Sequence, residues 1–281
     1  MKTIISASRR TDLVAFFPEW LAAAIREAET CFHGPSGRTR RVDLKPESVH
    51  TLVLWSKDFK NLIRDAFGLR EAVRRYDQIY CHFTMTGLGG TAIERGVLPF
   101  GQAISQVESL AQIAGSPRRV SLRFDPVVYW KEGPQIRTNL GFFEKLAAEA
   151  SRQGIRDIRF SFAQWYGKAV RRAERCRFPY YDPSVEEKLK DAGTLASMAR
   201  SFGLNLYACC QNFLTAIPGI RPSACIDGAC LEDLHPAVAP ASPKKDKTQR
   251  MECRCTESVD IGSYAQSCPH SCIYCYANAK S

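Results

Sequence analysis

Two hydrophobic rhythms alternate along the chain. Short runs rich in β-branched and aromatic residues read as strands: TIIS (3–6), TLVLW (51–55), IYCHFTM (79–85), RVSLRF (119–124), DIRFSF (157–162) and LNLYAC (204–209). Longer amphipathic stretches lie between them. Pro18 opens one helix, continued by Trp20, Leu21, Ala24 and Ile25, and others cover roughly 59–75, 100–114, 138–153 and 184–202, with Gly203 as a C-cap. This alternation predicts a parallel sheet with crossover helices, an α/β fold. Six such units suggest a (β/α) barrel, complete or partial. In LNLYAC the period of two puts Asn205, Tyr207 and Cys209 on one face and Leu204, Leu206 and Ala208 on the other. The apolar face should meet helices, which leaves Cys209 inward at the strand end.

In a barrel, functional residues gather at the C-terminal ends of the strands. Polar residues recur there: Ser6 to Asp12 (SASRRTD), Ser56-Lys57-Asp58, Thr84 to Gly87, Arg123-Phe124-Asp125-Pro126, Ser161 and Cys209 to Asn212. Loop solvation explains any one of these, but their recurrence points to a shared polar cavity. From about 215 the rhythm breaks into an irregular tail with Pro218, Pro222, Pro236, Pro240 and Pro243. The KKDK run at 244–247 reads as a solvated loop or linker. The expected division is a barrel-like domain over 1–214 and a cysteine-rich region over 215–281.

Composition narrows the class. A chain of 281 residues, 45% hydrophobic and 24% charged, has the makeup of a soluble globular protein with a large core. No run approaches the ~18–20 apolar residues of a membrane span, and the N-terminus lacks a long apolar signal region. A cytoplasmic protein without membrane partners is therefore expected. The formal charge of +10 favours anionic partners, nucleic acid among them, without singling one out.

Cysteine usage changes the picture most. Cys31, Cys81 and Cys176 are scattered and read as small buried apolar residues, whereas the other nine of twelve fall within 209–275. In a reducing compartment such a cluster is metal-binding or catalytic rather than disulfide-bonded. Cys268, Cys272 and Cys275 form a Cys-x3-Cys-x2-Cys loop. That compact spacing can set three sulfurs on one face of a [4Fe–4S] cluster and leave the fourth iron open to a small molecule. Zinc is the rival, although it prefers four closed ligands. Cys253 and Cys255, two apart, share a face in an extended segment, and with Cys209 and Cys225 make a four-thiol set. A second [4Fe–4S] cluster, a structural zinc or unliganded buried thiols would each suit it, and Cys210 or Cys230 could replace a member.

The loop resembles the cluster motif of the radical S-adenosylmethionine superfamily. The string Cys268-Pro-His-Ser-Cys272-Ile-Tyr-Cys275-Tyr276-Ala277 is similar to that of its spore photoproduct lyase-like branch. Those relatives carry the loop early, just after the first barrel strand. Here Ile4 to Asp12 (IISASRRTD) and Val53-Leu54-Trp55-Ser56-Lys57 resemble the segments that normally follow it. The implied architecture is a circularly permuted barrel, with residues 258–264 (SVDIGSY) carrying the loop back over the strand ends. The whole chain also resembles a bacterial domain-of-unknown-function family that begins ISASRRTD and ends with this loop. The resemblance implies an enzyme that cleaves S-adenosyl-L-methionine reductively. The resulting 5′-deoxyadenosyl radical abstracts hydrogen from a substrate the resemblance does not identify. It further implies an electron donor such as flavodoxin or ferredoxin. Arg9, Arg10 and Asp12 are the expected cofactor-binding residues, and Lys57, Arg123 and Asp125 the expected catalytic ones. No clear Gly-Gly-Glu segment for the methionyl group follows; Gly87-Leu-Gly89-Gly90 is the candidate, with a turn as its plainer reading. The alternative is a non-catalytic iron–sulfur or zinc protein that binds nucleic acid or senses redox state.

Overall fold

The computed structural model describes residues 1–33 and 39–277; the last residues of the expected C-terminal region, 278–281, lie outside them. Eight parallel strands form one sheet. They are β1 (Thr3–Ala7), β2 (Val49–Ser56), β3 (Ile79–Thr84), β4 (Val120–Val127), β5 (Asp157–Phe162), β6 (Asn205–Ala208), β7 (Ile220–Pro222) and β8 (Val259–Asp260). Their spatial order is β7-β6-β5-β4-β3-β2-β1-β8, so each strand from β1 to β6 neighbours its successor and the last strand returns beside the first. Ile5 pairs with Val259 and Ser6 with Asp260.

The sheet is open: the α/β class and the parallel strands are as expected, but the sheet does not close into a barrel. β7 and β8 are its edges and do not pair with each other. Each face is covered in a different way. On one face Leu52, Leu54, Phe83, Leu122, Phe124, Ile158, Phe160 and Leu206 meet the helices in the main core. These include α1 (Pro18–Glu27), α2 (Phe143–Arg152) and α4 (Val185–Ser201); α3 (Gly167–Arg175) lies between α2 and α4 in the chain. On the other face Ile4, Val53 and Tyr80 pack against Ile226, Leu231, Leu234 and Ala241 of the tail. The tail, including α5 (Gly228–Leu234), fills the space that a closed barrel would enclose.

Side chains of that second face hold the irregular tail by its carbonyls. His50 Nε2 lies 2.7 Å from the Ala239 carbonyl, and His82 Nε2 2.7 Å from that of Cys225. Gln78 donates to Leu231 at 2.9 Å, and Arg159 to Ala224 at 3.2 Å. Backbone groups that no ladder pairs are thus satisfied from the sheet. The KKDK run is likewise no free linker: Asp246 is buried, and its N–H donates to the Cys255 carbonyl at 2.9 Å.

The six expected strands are all present, and Gly203 takes a left-handed φ of 68° at the end of α4. The helices expected over 59–75 and 100–114 are each broken into short pieces; left-handed turns at Phe67 and Gly68 interrupt the first. Helix α3, the strands β7 and β8, and the two ribbons outside the sheet went unread. In α3 only Ala169 and Ala173 are buried, too thin an apolar stripe to show as a period. Cys31 is exposed on a ribbon strand rather than buried, while Cys81 is fully buried. Among the described residues no helix is long and apolar enough to cross a membrane.

Candidate active site

The C-terminal strand ends enclose a cavity of about 240 Å³. Every residue singled out from the sequence for the site lines it: Arg9, Arg10, Asp12, Lys57, Arg123, Asp125 and the seven cysteines. Cys210 and Arg250 join them.

The terminal loop is tied down by four elements. After β8, Ile261 N–H donates to the Ser6 carbonyl at 2.9 Å, which carries the chain across the end of β1. His270 is buried, with Nε2 2.8 Å from the Asp12 carboxylate and Nδ1 2.9 Å from the Gly96 carbonyl. Asp12 also caps the short helix Leu13–Phe16 through Ala15 N–H and accepts from Ser56 Oγ and Lys57 N–H. One carboxylate therefore joins β1, β2 and the loop. Gly96 lies so near that a Cβ there would stand 2.4 Å from the Pro269 carbonyl oxygen, which explains the glycine. Ile273 N–H donates to Ile93 at 3.0 Å. Buried Glu94 pairs with Lys57 at 2.8 Å and accepts from the Tyr274 hydroxyl. From the other side, Arg172 of α3 donates to the carbonyls of Cys275 at 2.6 Å, Cys272 at 3.2 Å and Ile273 at 3.3 Å. The segment around Gly87, Gly89 and Gly90, once a candidate for the cofactor, is a turn: Gly87 abuts Phe142, and Gly89 the backbone of Leu98. It leads into the Ile93–Gly96 stretch that clasps the loop.

Burial pushes the three loop thiols up: Cys268 to about 11, and Cys272 well above the usual thiol range despite nearby Lys57. Cys275 is also raised by burial, which outweighs Arg172, Lys57 and Lys168. Metal binding there must displace protons, so it should weaken as pH falls.

The second thiol set differs. Contacts run in a ring from Cys210 to Cys209, Cys225, Cys255, Cys253 and back to Cys210. The Cys209 and Cys225 sulfurs stand 3.7 Å apart, close to the ~3.8 Å edge expected for two thiolates on one tetrahedral zinc. Hydrogen bonds from Cys209 and Cys255, aided by Arg123 and His82, hold Cys225 well below the usual thiol range. Cys253 is drawn down to about 3 by Cys210 and Cys255. Cys210 belongs to the ring beside the four cysteines named from the sequence, whereas Cys230 lies outside it, near Arg159 and Asp227. Among the described residues no three Cys, His, Asp or Glu side chains converge on one ion position. A [4Fe–4S] cluster takes one thiolate at each iron, so its ligands stand farther apart than those of a single ion.

Trp55 forms the cavity wall between the two sets. It stacks on His82 at 4.1 Å, is anchored through Nε1 to Ser6 Oγ at 3.0 Å, and lies beneath Arg9 and Arg123 at 5.8 and 5.1 Å. Arg10 pairs with Asp260 at 2.6 Å. Arg123 pairs with Asp125 and donates to Cys225 Sγ at 3.5 Å, while Asp125 also accepts from Ser161. Trp55, His82, Glu94, Arg172 and Arg250 were missed in the sequence. The first two sit inside strands, where they look like core, and the others occupy segments without any period.

Fold and site together define an open, singly wound α/β protein with a thiol-rich cavity at its carboxyl strand ends. The chain belongs to the family described as "Domain of unknown function (DUF1848)", whose model matches residues 4–277. No curated protein matches it. Among solved structures, the D-hydantoinase of a Bacillus sp. AR9 is 11% identical with a TM-score of 0.33, over 74% of this chain and 40% of that one. Proline utilization A of Bradyrhizobium japonicum, as a point mutant, is 12% identical with a TM-score of 0.37, over 93% and 26%. The chain spans less than half the length of either.

Proposed function

We propose that this protein is a radical S-adenosylmethionine enzyme on a permuted partial (β/α) barrel. Cys268, Cys272 and Cys275 would hold a [4Fe–4S] cluster, and Cys209, Cys225, Cys253 and Cys255 an auxiliary one, with Cys210 as the spare thiol. The observation that carries the reading is the strand order. The last strand returns beside the first and delivers the three-cysteine loop to the mouth, where a loop following an unpermuted first strand would lie. The loop donors suit the group: all three are largely buried thiols, with Lys57 at hand to offset cluster charge, whereas the second set would need Cys209 and Cys225 to separate before each could take an iron.

When bound, the loop cluster supplies the electron that cleaves the sulfonium of S-adenosylmethionine, yielding a 5′-deoxyadenosyl radical that abstracts hydrogen. The chain's own residues do the rest. Asp12, His270, Glu94, Tyr274 and Arg172 fix the loop from three sides, with its three thiols lining the cavity. Arg10 and Asp12 are engaged in positioning, the first by Asp260 and the second by four donors, so Arg9 is left to face a ligand. Lys57, Arg123 and Asp125 sit between the two thiol sets, where a substrate would contact them.

Anaerobic reconstitution should give about four irons per chain from the loop and about eight with both sites filled. Reduction in the presence of S-adenosylmethionine should release 5′-deoxyadenosine. Alanine at Cys268, Cys272 and Cys275 together should abolish that release and leave the auxiliary spectrum. Stoichiometric zinc without iron would replace this reading with the metal-binding interaction protein, which the 3.7 Å Cys209–Cys225 separation favours at the second site.

A further inference from the structure

We infer that the cavity takes a small acidic ligand, a carboxylate or a phosphate, gripped by Arg9 and Arg250. Five cationic side chains line the cavity. Three are matched: Arg10 by Asp260, Lys57 by Glu94 and Arg123 by Asp125. Among the described residues the guanidinium groups of Arg9 and Arg250 make no ion pair and donate only to neutral partners, although the Arg9 backbone N–H donates to Asp260 at 3.2 Å. Arg9 donates to Ser258 Oγ at 3.0 Å, and Arg250 to Gln164 Oε1 and the Tyr166 hydroxyl, both at 2.9 Å. Tyr276 links the two places, with its hydroxyl 3.4 Å from the Arg9 carbonyl and its ring within the electrostatic reach of Arg250. Two buried groups in the same wall point to a missing partner. Arg123 is 8% exposed, yet its Nε–H has no acceptor, and the Thr11 hydroxyl is equally unpaired. Buried donors without acceptors are costly, and an anion supplies acceptors for them.

Guanidinium groups are the side chains best shaped for carboxylate and phosphate oxygens. They line a solvent-open concavity, with Arg250 exposed at its rim, and its volume is below the ~300 Å³ where drug-sized ligand pockets begin. A small molecule therefore fits, beside the Trp55 ring on which Arg9 and Arg123 rest. As a substrate assignment this rests on the catalytic reading above; as a binding site it rests on the arginines alone.

The test is isothermal titration of the reconstituted full chain at fixed ionic strength, with S-adenosylmethionine saturating. Inorganic phosphate and succinate are titrated separately, with succinamide as the neutral counterpart. Saturable binding of phosphate or of succinate, whichever the site prefers, with none of succinamide, is expected. Arg250→Met should weaken it by roughly tenfold to a hundredfold, Arg250→Lys by less, and Arg171→Met, on the outer surface of α3, not at all. Arg9→Met repeats the test from the opposite side. Absence of saturable binding, or binding unchanged in both methionine variants, overturns the inference. So does binding seen only before S-adenosylmethionine is added, because the arginines then hold the cofactor's own carboxylate. Binding confined to an oligonucleotide would also overturn it. The triple cysteine-to-alanine variant separates the two claims. Anion binding that persists there, in a protein whose wild type releases no 5′-deoxyadenosine, leaves the site and removes the enzyme. Release of 5′-deoxyadenosine without anion binding does the reverse.

Discussion

The strands from Thr3 to Ala208 and the segment from Cys209 to Ala277 satisfy their backbones by opposite means. In the first, ladders and helices pair the chain with itself, and the packed face of Leu54, Phe83, Phe124 and Phe160 excludes water. The second has β7, β8, α5 and little else regular. Its carbonyls are taken up by side chains: His50, Gln78, His82 and Arg159 from beneath, Arg172 from the flank. The sheet is a framework that folds by burial, and the tail is a lining held to it by individual donors. The cavity lies between the two, which lets its chemistry vary without remaking the core.

The largest expected effect belongs to the framework. Phe160 is fully buried among aromatic and aliphatic neighbours, and Phe160→Ala should cost about 3–5 kcal/mol. Chemical denaturation should show one transition moved to lower denaturant for the whole chain. If the tail unfolded separately and unchanged, the two regions would not share a stability, and the contrast would be one of domains.

Next comes a donor that serves both regions. Gln78 is buried, and its amide donates to Thr51 Oγ1 at 2.8 Å and to the Leu231 carbonyl at 2.9 Å. Gln78→Leu keeps the bulk and orphans the carbonyl, a loss of about 1–3 kcal/mol. Hydrogen exchange should rise first in α5. Equal protection in α5 before and after the change would show that packing of Leu231 and Leu234, not the amide, holds the tail.

This division also explains what could be read from sequence. All six expected strands appear because each must bury one face or two, and burial writes a period into the chain. The spacing of the loop cysteines singled them out in the sequence, and the fold places all three in the cavity. What could not be read was coverage. Ile226, Leu231 and Leu234 give no sign that they fill the sheet's second face, and that is why the alternation alone left open whether the barrel was complete or partial. Glu94 and Arg250 were invisible for a related reason: each acts through two long-range contacts, with no repeat around it. The second set was read as four cysteines with Cys210 or Cys230 as alternates, and the fold brings Cys210 to the cavity and leaves Cys230 outside it.

A third effect depends on pH and lies at the opposite end of the sheet. His235 is buried, and burial, with His50 at 4.7 Å between ring centroids, holds it below the usual histidine value. Asp77, 3.8 Å from its Nε2, opposes this in part, while Lys2 and Arg119 reinforce it. Above about pH 6.5 neither state carries the proton and nothing is lost. As pH falls through 6.5 the unfolded chain binds a proton that the folded one resists, so stability declines by at most about 1.4 kcal/mol per pH unit. His235→Gln should flatten that decline in denaturation midpoints measured from pH 7.5 to 5.5. A profile identical to that of the wild type would assign the acid sensitivity elsewhere.

The smallest expected effect is local and bears most directly on the site. Arg172 is half-buried on α3, and its guanidinium meets the carbonyls of Cys272, Ile273, Cys275 and Ala277 without a carboxylate partner among the described residues. Arg172→Met preserves the stem over the apolar surface and removes the four donations. Since water can replace part of them, global stability should fall by under about 1 kcal/mol. The loop alone should loosen. Cys272 is 5% exposed, so in reduced, metal-free protein its alkylation requires the loop to open. A local cost near 1 kcal/mol would speed that reaction by about fivefold, since about 1.4 kcal/mol is tenfold. Cys81, fully buried on β3, should react no faster. If both thiols accelerated together, Arg172 would be supporting the framework, and the lining would not be an independently held layer. If neither changed, His270 and the Glu94–Tyr274 contact would be enough to hold the loop, and the flank contact would serve only to set the charge beside the three sulfurs.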